Sequence, residues 1–183
     1  MHTRSTISLD QTPRRLGPYE VLSVLGSGGF GEVLLARDPR LDRKVAIKVP
    51  HAHLLSSKED RERFLWESQS LAKLKHNGIV TVHEVVTDEA LSYLVTEYLQ
   101  GSTLAEYIKT QTLTYGSIIQ IVSAIAEALD HAHHHGIVHR DVKPSNIVMI
   151  VNKIRPVLVD FGVAFSLHKT PSGKRQFAGT PSY

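Results

Sequence analysis

Short apolar runs separated by turn residues fill the first hundred positions, and helical periodicities take over after them. Residues 19–25 and 32–36 read as strands on either side of the glycine cluster Gly26-Ser27-Gly28-Gly29-Phe30-Gly31. Asp38-Pro39 marks a turn, and the alternation over 45–49 predicts a third strand. Residues 56–75 predict a helix: Ser56 stands three before Glu59 as a capping box, Asp60 and Glu62 suit its N-terminal end, and Phe64, Leu71 and Leu74 line one face. Strand-like runs at 79–86 and 92–98 lead to a linker around Gly101. Thr103 with Glu106 caps a short helix. Ile118, Ile121, Val122, Ile125, Leu129 and Ala132 predict a strong helix over 117–135, stopped by Gly136. Apolar runs at 147–151 and 157–159 precede a polar stretch to Tyr183. The pattern predicts an α+β chain: a five-stranded small lobe with one helix over 19–98, a hinge at 99–101, and a mainly helical lobe over 102–183. Residues 1–18 carry five Ser/Thr, two Pro and little to bury, and read as a disordered tail.

Composition changes this picture chiefly by exclusion. With 42% hydrophobic and 21% charged residues among 183, the chain has the balance of a soluble domain. Its net charge of +3 comes from scattered basic residues, so a nucleic-acid partner is not expected. The absence of cysteine removes disulfides, thiolate metal sites and Cys nucleophiles. No apolar run approaches a membrane span, and the first residues lack a secretory apolar core, so a cytoplasmic location is expected.

Four elements carry candidate chemistry. In Gly26-x-Gly28-x-x-Gly31-x-Val33, missing Cβ atoms let backbone N–H groups approach phosphate oxygens. A dinucleotide fingerprint would need a helix after the third glycine, and a Walker A loop would need Gly-Lys-Ser/Thr. Neither follows here, which leaves a lid between two strands or a plain hairpin turn. In Val45-Ala46-Ile47-Lys48, the period of two puts small Ala46 beside Lys48 on one face, which suits a flat base with phosphates beyond it or, alternatively, a strand-edge lysine in solvent. Glu67 falls within the apolar stripe Phe64, Leu71, Leu74. Either it is a buried carboxylate paired with a cation, Lys48 being the candidate, or it sits at the stripe's edge. The fourth element is His139-Arg140-Asp141-Val142-Lys143-Pro144-Ser145-Asn146, followed by Asp160-Phe161-Gly162. It supplies a carboxylate to orient a hydroxyl, a lysine for a moving phosphoryl group, and an Asn and Asp for Mg²⁺. The histidines 131 and 133–135 lack the carboxylate of a His-Glu-x-x-His site and read as a polar helix end.

With these motifs in order from Tyr19 to Tyr183, the chain resembles the eukaryotic-like Ser/Thr protein kinases, in a bacterial style. The resemblance implies a bilobal kinase-like fold and transfer of the γ-phosphoryl group of Mg-ATP to a Ser or Thr of a protein substrate. It implies that Leu25, Gly26, Ser27, Gly28, Gly29, Phe30, Gly31 and Val33 cover ATP, with Val33 and Ala46 sandwiching adenine. Lys48 would hold phosphates and pair with Glu67; Asp141 would be the base, assisted by Lys143; Asn146 and Asp160 would hold Mg²⁺. Thr96 would be the gatekeeper before hinge residues Glu97 and Leu99, and Leu71, Val82, His139 and Phe161 a hydrophobic spine. Arg140 implies a loop ordered by phosphorylation, with Thr170 and Ser172 the candidate phosphosites and Thr180 a substrate-side residue. Self-association for trans-autophosphorylation belongs to the same expectation.

The segment Gly179-Thr180-Pro181-Ser182-Tyr183 resembles the opening of the stretch that precedes the family's Ala-Pro-Glu anchor. The expectation is therefore an incomplete large lobe, an apolar helix at 117–135 short of packing partners, and no turnover by this span alone. The alternatives are a non-catalytic nucleotide-binding or interaction fragment, which would bind ATP analogues without transfer, and a small-molecule phosphotransferase of kinase-like fold.

Overall fold

A computed structural model describes residues 15–87, 91–151 and 154–161. The small lobe is an antiparallel six-stranded sheet of order β1-β2-β3-β4-β6-β5. Its strands are β1 (Arg15–Leu16), β2 (Tyr19–Gly28), β3 (Gly31–Asp38), β4 (Arg43–Pro50), β5 (Val82–Thr87) and β6 (Ser92–Glu97). The sixth strand is a correction. Arg15 and Leu16, expected in a disordered tail, pair with Glu20 and Tyr19, because Leu16 buries its side chain beside Tyr19 and Tyr93. Residues 1–14 of the expected tail lie outside the described residues.

Strand period decides which residues face the site. Val45 and Ile47 point into a core with Leu34, Ala36, Tyr93 and Val95, while Ala46 and Lys48 face the other way. Asp38, with no exposed surface, accepts from the backbone N–H and the guanidinium of Arg40, which hold its carboxyl below the usual range. Arg40 also donates to the Tyr19 hydroxyl, which itself donates to Glu84. Burial, and then the Glu84 carboxylate, push Tyr19 up to about 12.

Helix α1 (Lys58–Leu71) is shorter than expected and capped one residue later. Ser57, not Ser56, accepts from the Asp60 N–H at 3.0 Å and donates back to its carboxylate at 2.8 Å. Residues 79–81, expected in a strand, instead bridge to the large lobe. Ile79 pairs with Leu158, the Val80 N–H donates to the Leu158 carbonyl (3.0 Å), and the Leu158 N–H donates to the Gly78 carbonyl (2.8 Å).

The large lobe holds a three-stranded sheet of β7 (Gly101–Thr103), β8 (Ile147–Ile150) and β9 (Pro156–Leu158), with helices α2 (Leu104–Thr110) and α3 (Tyr115–His134). Gly101, expected in a linker, is a strand residue. A Cβ there would meet the Met149 carbonyl oxygen at 2.0 Å, so only glycine permits the β7–β8 approach. The Thr103–Glu106 capping box forms as the spacing predicts. One core spans both lobes: Phe64, Leu71, Leu74 and Leu94 pack with Ile121, Ala128, Ala132, Ile147, Leu158 and Phe161. No helix among the described residues is long and apolar enough to cross a membrane.

Candidate active site

The glycine cluster is less a loop than the end of a hairpin. Strands β2 and β3 run through it to the pair Gly28–Gly31, leaving Gly29 and Phe30 at the tip. Two adjoining cavities lie beneath this hairpin. The first is lined by Leu25, Gly26, Val33, Ala46, Lys48, Thr96, Glu97, Leu99 and Asp160, all of them expected nucleotide-site residues or, for Asp160, a metal-site residue. The second is lined by Gly26, Ser27, Gly28, Gly29, Phe30, Gly31, Val33, Lys48, Asp141, Lys143, Asn146 and Asp160. Residues shared by the two make a continuous cleft, apolar at the hinge end and ionic at the other.

At the hinge end, β4 and β6 align Ala46 with Thr96. The Thr96 hydroxyl lies 3.4 Å from the Ala46 carbonyl and 3.3 Å from that of Glu97. The Glu97 carboxylate is held by the Thr81 N–H at 2.8 Å, and the Glu97 N–H donates to the Thr81 carbonyl at 2.9 Å. The end of β6 is thereby tied back to the segment 79–81.

At the ionic end, the stretch 139–146 is organised around Asp141, which is only 8% exposed. The Lys143 ammonium lies 2.8 Å from its Oδ2, and the Asn146 side-chain amide donates to Oδ2 at 3.0 Å and to the Asp141 carbonyl at 2.9 Å. That leaves the Asn146 amide oxygen for another partner. His139, 1% exposed, sits behind. Its Nε2 donates to the Val159 carbonyl at 2.9 Å, while its Nδ1 accepts the Asp141 N–H at 3.3 Å. A nitrogen that accepts carries no proton, so the imidazole is neutral, and burial pushes its pKa down. Arg140 and Asp160 both adopt positive φ, 65° and 57°, where side chains rarely go. Asp160 is delivered toward the cleft by β9, with Phe161 buried against the His139 ring at 4.5 Å between centroids.

One sequence expectation is corrected. Lys48 pairs with Asp160 at 2.9 Å, across 112 residues, and no Lys48–Glu67 ion pair forms among the described residues. The reason is the rotation of α1. Phe64, Ser68 and Leu71 make its buried seam, so Glu67 lies half-buried at the seam's edge. There it lines a separate cavity with Trp66, Leu71, Arg140 and Phe161. Leu71 and Phe161 share one core, Val82 packs against it, and His139 meets Phe161. Thr170, Ser172 and Thr180 lie outside the described residues.

Sequence reasoning missed Leu94, Val148, Thr103, Glu106 and Ser145, which also line the hinge-end cavity. Val148 had a signal, since Ile147 and Met149 on β8 are core and Val148 must face the other way. Glu106 had one only as a cap.

Residues 19–183 match the family described as Protein kinase domain. The chain is 40% identical over 181 residues to the serine/threonine-protein kinase PknB of Mycolicibacterium smegmatis, covering 94% of this chain and 29% of that protein. The PknI kinase domain of Mycobacterium tuberculosis superposes with a TM-score of 0.71 at 32% identity, covering 81% of this chain and 61% of that one. A structure of Rad53 1-466 in complex with AMP-PNP superposes with a TM-score of 0.70 at 26% identity, covering 80% of this chain and 38% of that one. The chain thus spans under a third of PknB and about three fifths of the PknI kinase-domain chain.

Proposed function

The chain belongs to the protein kinase domain family, and on that premise we propose that it transfers the γ-phosphoryl group of ATP to a Ser or Thr hydroxyl of a protein. The observation that carries this reading is the convergence of Lys48, Asp141, Lys143, Asn146 and Asp160 on one cavity beneath the glycine hairpin. Adenine fits the apolar end between Leu25, Val33, Ala46 and Val148, with Glu97 to Leu99 offering backbone groups at its edge. The AMP-PNP found in the Rad53 structure supports a nucleotide ligand.

Asp141 orients the substrate hydroxyl and takes its proton as the hydroxyl oxygen bonds to the γ-phosphorus. The bond from that phosphorus to the β–γ bridging oxygen breaks, and ADP carries away the electron pair. Lys143, already beside Asp141, neutralises charge on the moving group. Lys48 reaches the phosphates from β4. The free amide oxygen of Asn146 and the Asp160 carboxylate are a hard oxygen donor pair that suits Mg²⁺. When bound, that ion screens phosphate charge. Arg140 pairs with a loop ordered by phosphorylation at Thr170 or Ser172, Thr180 serves the substrate side, and self-association for trans-autophosphorylation follows from that regulation.

A second reading, a nucleotide-binding fragment without transfer, draws on the Lys48–Asp160 pair, which engages the lysine away from Glu67. The test is intact-mass measurement after incubation with Mg²⁺ and ATP, for the wild type and Asp141→Asn. Transfer requires added mass in the wild type and its loss, by at least two orders of magnitude in rate, in the variant. Transfer persisting in Asp141→Asn would overturn the assignment of the base. AMP-PNP binding with no added mass would favour the fragment reading.

A further inference from the structure

The glycine hairpin is fastened to the end of β4 by one residue. The His51 N–H donates to the Phe30 carbonyl at 3.2 Å, one rung past the Gly31–Pro50 pair. The His51 imidazole reaches further, its Nε2 lying 2.9 Å from the Gly28 carbonyl. A carbonyl only accepts, so Nε2 carries the proton and donates. The carbonyls of Gly28 and Phe30, the neighbours of Gly29, are therefore held by the same residue.

Two further observations show that this fastening has little slack. Gly31 has φ +142°, and a Cβ on it would meet the Val49 carbonyl oxygen at 2.1 Å, so no side chain can stand between the hairpin and the strand end. The His51 ring stacks on that of His53 at 5.5 Å and 20°. His53 belongs to the 3-10 turn Ala52–Leu55, which is anchored by buried Leu54 and Leu55.

A trans peptide turns its N–H opposite to its C=O. Drawing the Gly28 carbonyl toward His51 turns the Gly29 N–H away from it. Gly28 and Gly29 line the cavity that holds Lys48, Asp141 and Asp160, whereas His51 does not. We infer that His51 is a positioning residue for this lid: its hydrogen bond fixes the Gly28–Gly29 peptide so that the Gly29 N–H serves the nucleotide's phosphates. The inference rests on the nucleotide-binding reading above.

The test is the affinity of the full chain for AMP-PNP and for adenosine, in the wild type, His51→Ala and His51→Gln. Loss of one hydrogen bond that orients a phosphate donor weakens binding on the order of five-fold. His51→Ala should show that loss for AMP-PNP and none for adenosine, which has no phosphates to place. His51→Gln, whose amide can still donate to the Gly28 carbonyl, should recover most of it. Undiminished AMP-PNP binding in His51→Ala, or equal weakening toward both ligands, overturns the role of His51 while leaving the nucleotide site standing. His51→Gln behaving like His51→Ala refutes the hydrogen bond as the cause. A wild type that binds neither ligand overturns the nucleotide reading, and the inference with it.

Discussion

His139 concentrates the physics of the site in one side chain. Enclosed between Phe161 and the backbone of 141 and 159, it is neutral, donating from one nitrogen and accepting with the other. Protonation would convert the acceptor into a donor facing the Asp141 N–H. His131 is also pushed down, first by burial and then by His135 and His76, and His83 by burial and then Arg43. For such groups the unfolded chain, with a histidine pKa of about 6.5, binds more protons than the folded one just below that pH. The stability they contribute is complete above about pH 6.5 and is lost as pH falls through their depressed folded values. Thermal midpoints should therefore fall on acidification from pH 7 toward 5, and His139→Gln should flatten part of that fall. A wild-type midpoint indifferent to pH in this window would contradict the assignment.

At the scale of elements, one-residue shifts matter because a cap acts through a single hydrogen bond. Ser56 and Ser57 are indistinguishable by type, and each precedes an acidic residue by three, Glu59 or Asp60. The preceding 3-10 turn, fixed by Leu54 and Leu55, makes Ser56 its own C-terminal cap and leaves Ser57 extended to start the helix. Ser57→Ala should lower stability by about 1 kcal/mol, whereas Ser56→Ala should change it by less than about 0.5 kcal/mol. Chemical denaturation of the two variants separates them, and the reverse order would restore Ser56 as the cap. The strand at 45–49 was more legible than the cap of α1, because its alternation is set by many residues at once and survives into the buried Val45 and Ile47.

Across the whole molecule, the apolar periodicity of α3 exceeds what its packing uses. Ile121, Ala128 and Ala132 are buried, but Ile118, Ile119 and Val122 are 42%, 65% and 59% exposed and Tyr115 is 88% exposed. An apolar face of this kind drives association. The double variant Ile119→Lys, Val122→Lys should reduce concentration-dependent light scattering without lowering the unfolding midpoint. A lowered midpoint would mean that these side chains are packed. The same scale holds the link between lobes: the shared core, the Ile79–Leu158 bridge and the Lys48–Asp160 pair all join residues far apart in the chain.

The features legible from the chain alone were local ones, set by a short period or a fixed spacing. The strand faces of β4, the glycine hairpin, the Thr103–Glu106 cap and the cluster around Asp141 belong here, since their geometry is set within a few bonds of the residues concerned. Which carboxylate meets Lys48, where Glu67 goes, whether Leu16 is worth burying as a sixth strand, and that Glu106 and Val148 border the cleft were settled by long-range packing. Each of these depends on the rotation of a helix or the docking of a distant strand. Such rigid-body choices are made by the summed packing of many side chains, and that sum is local to no stretch of sequence.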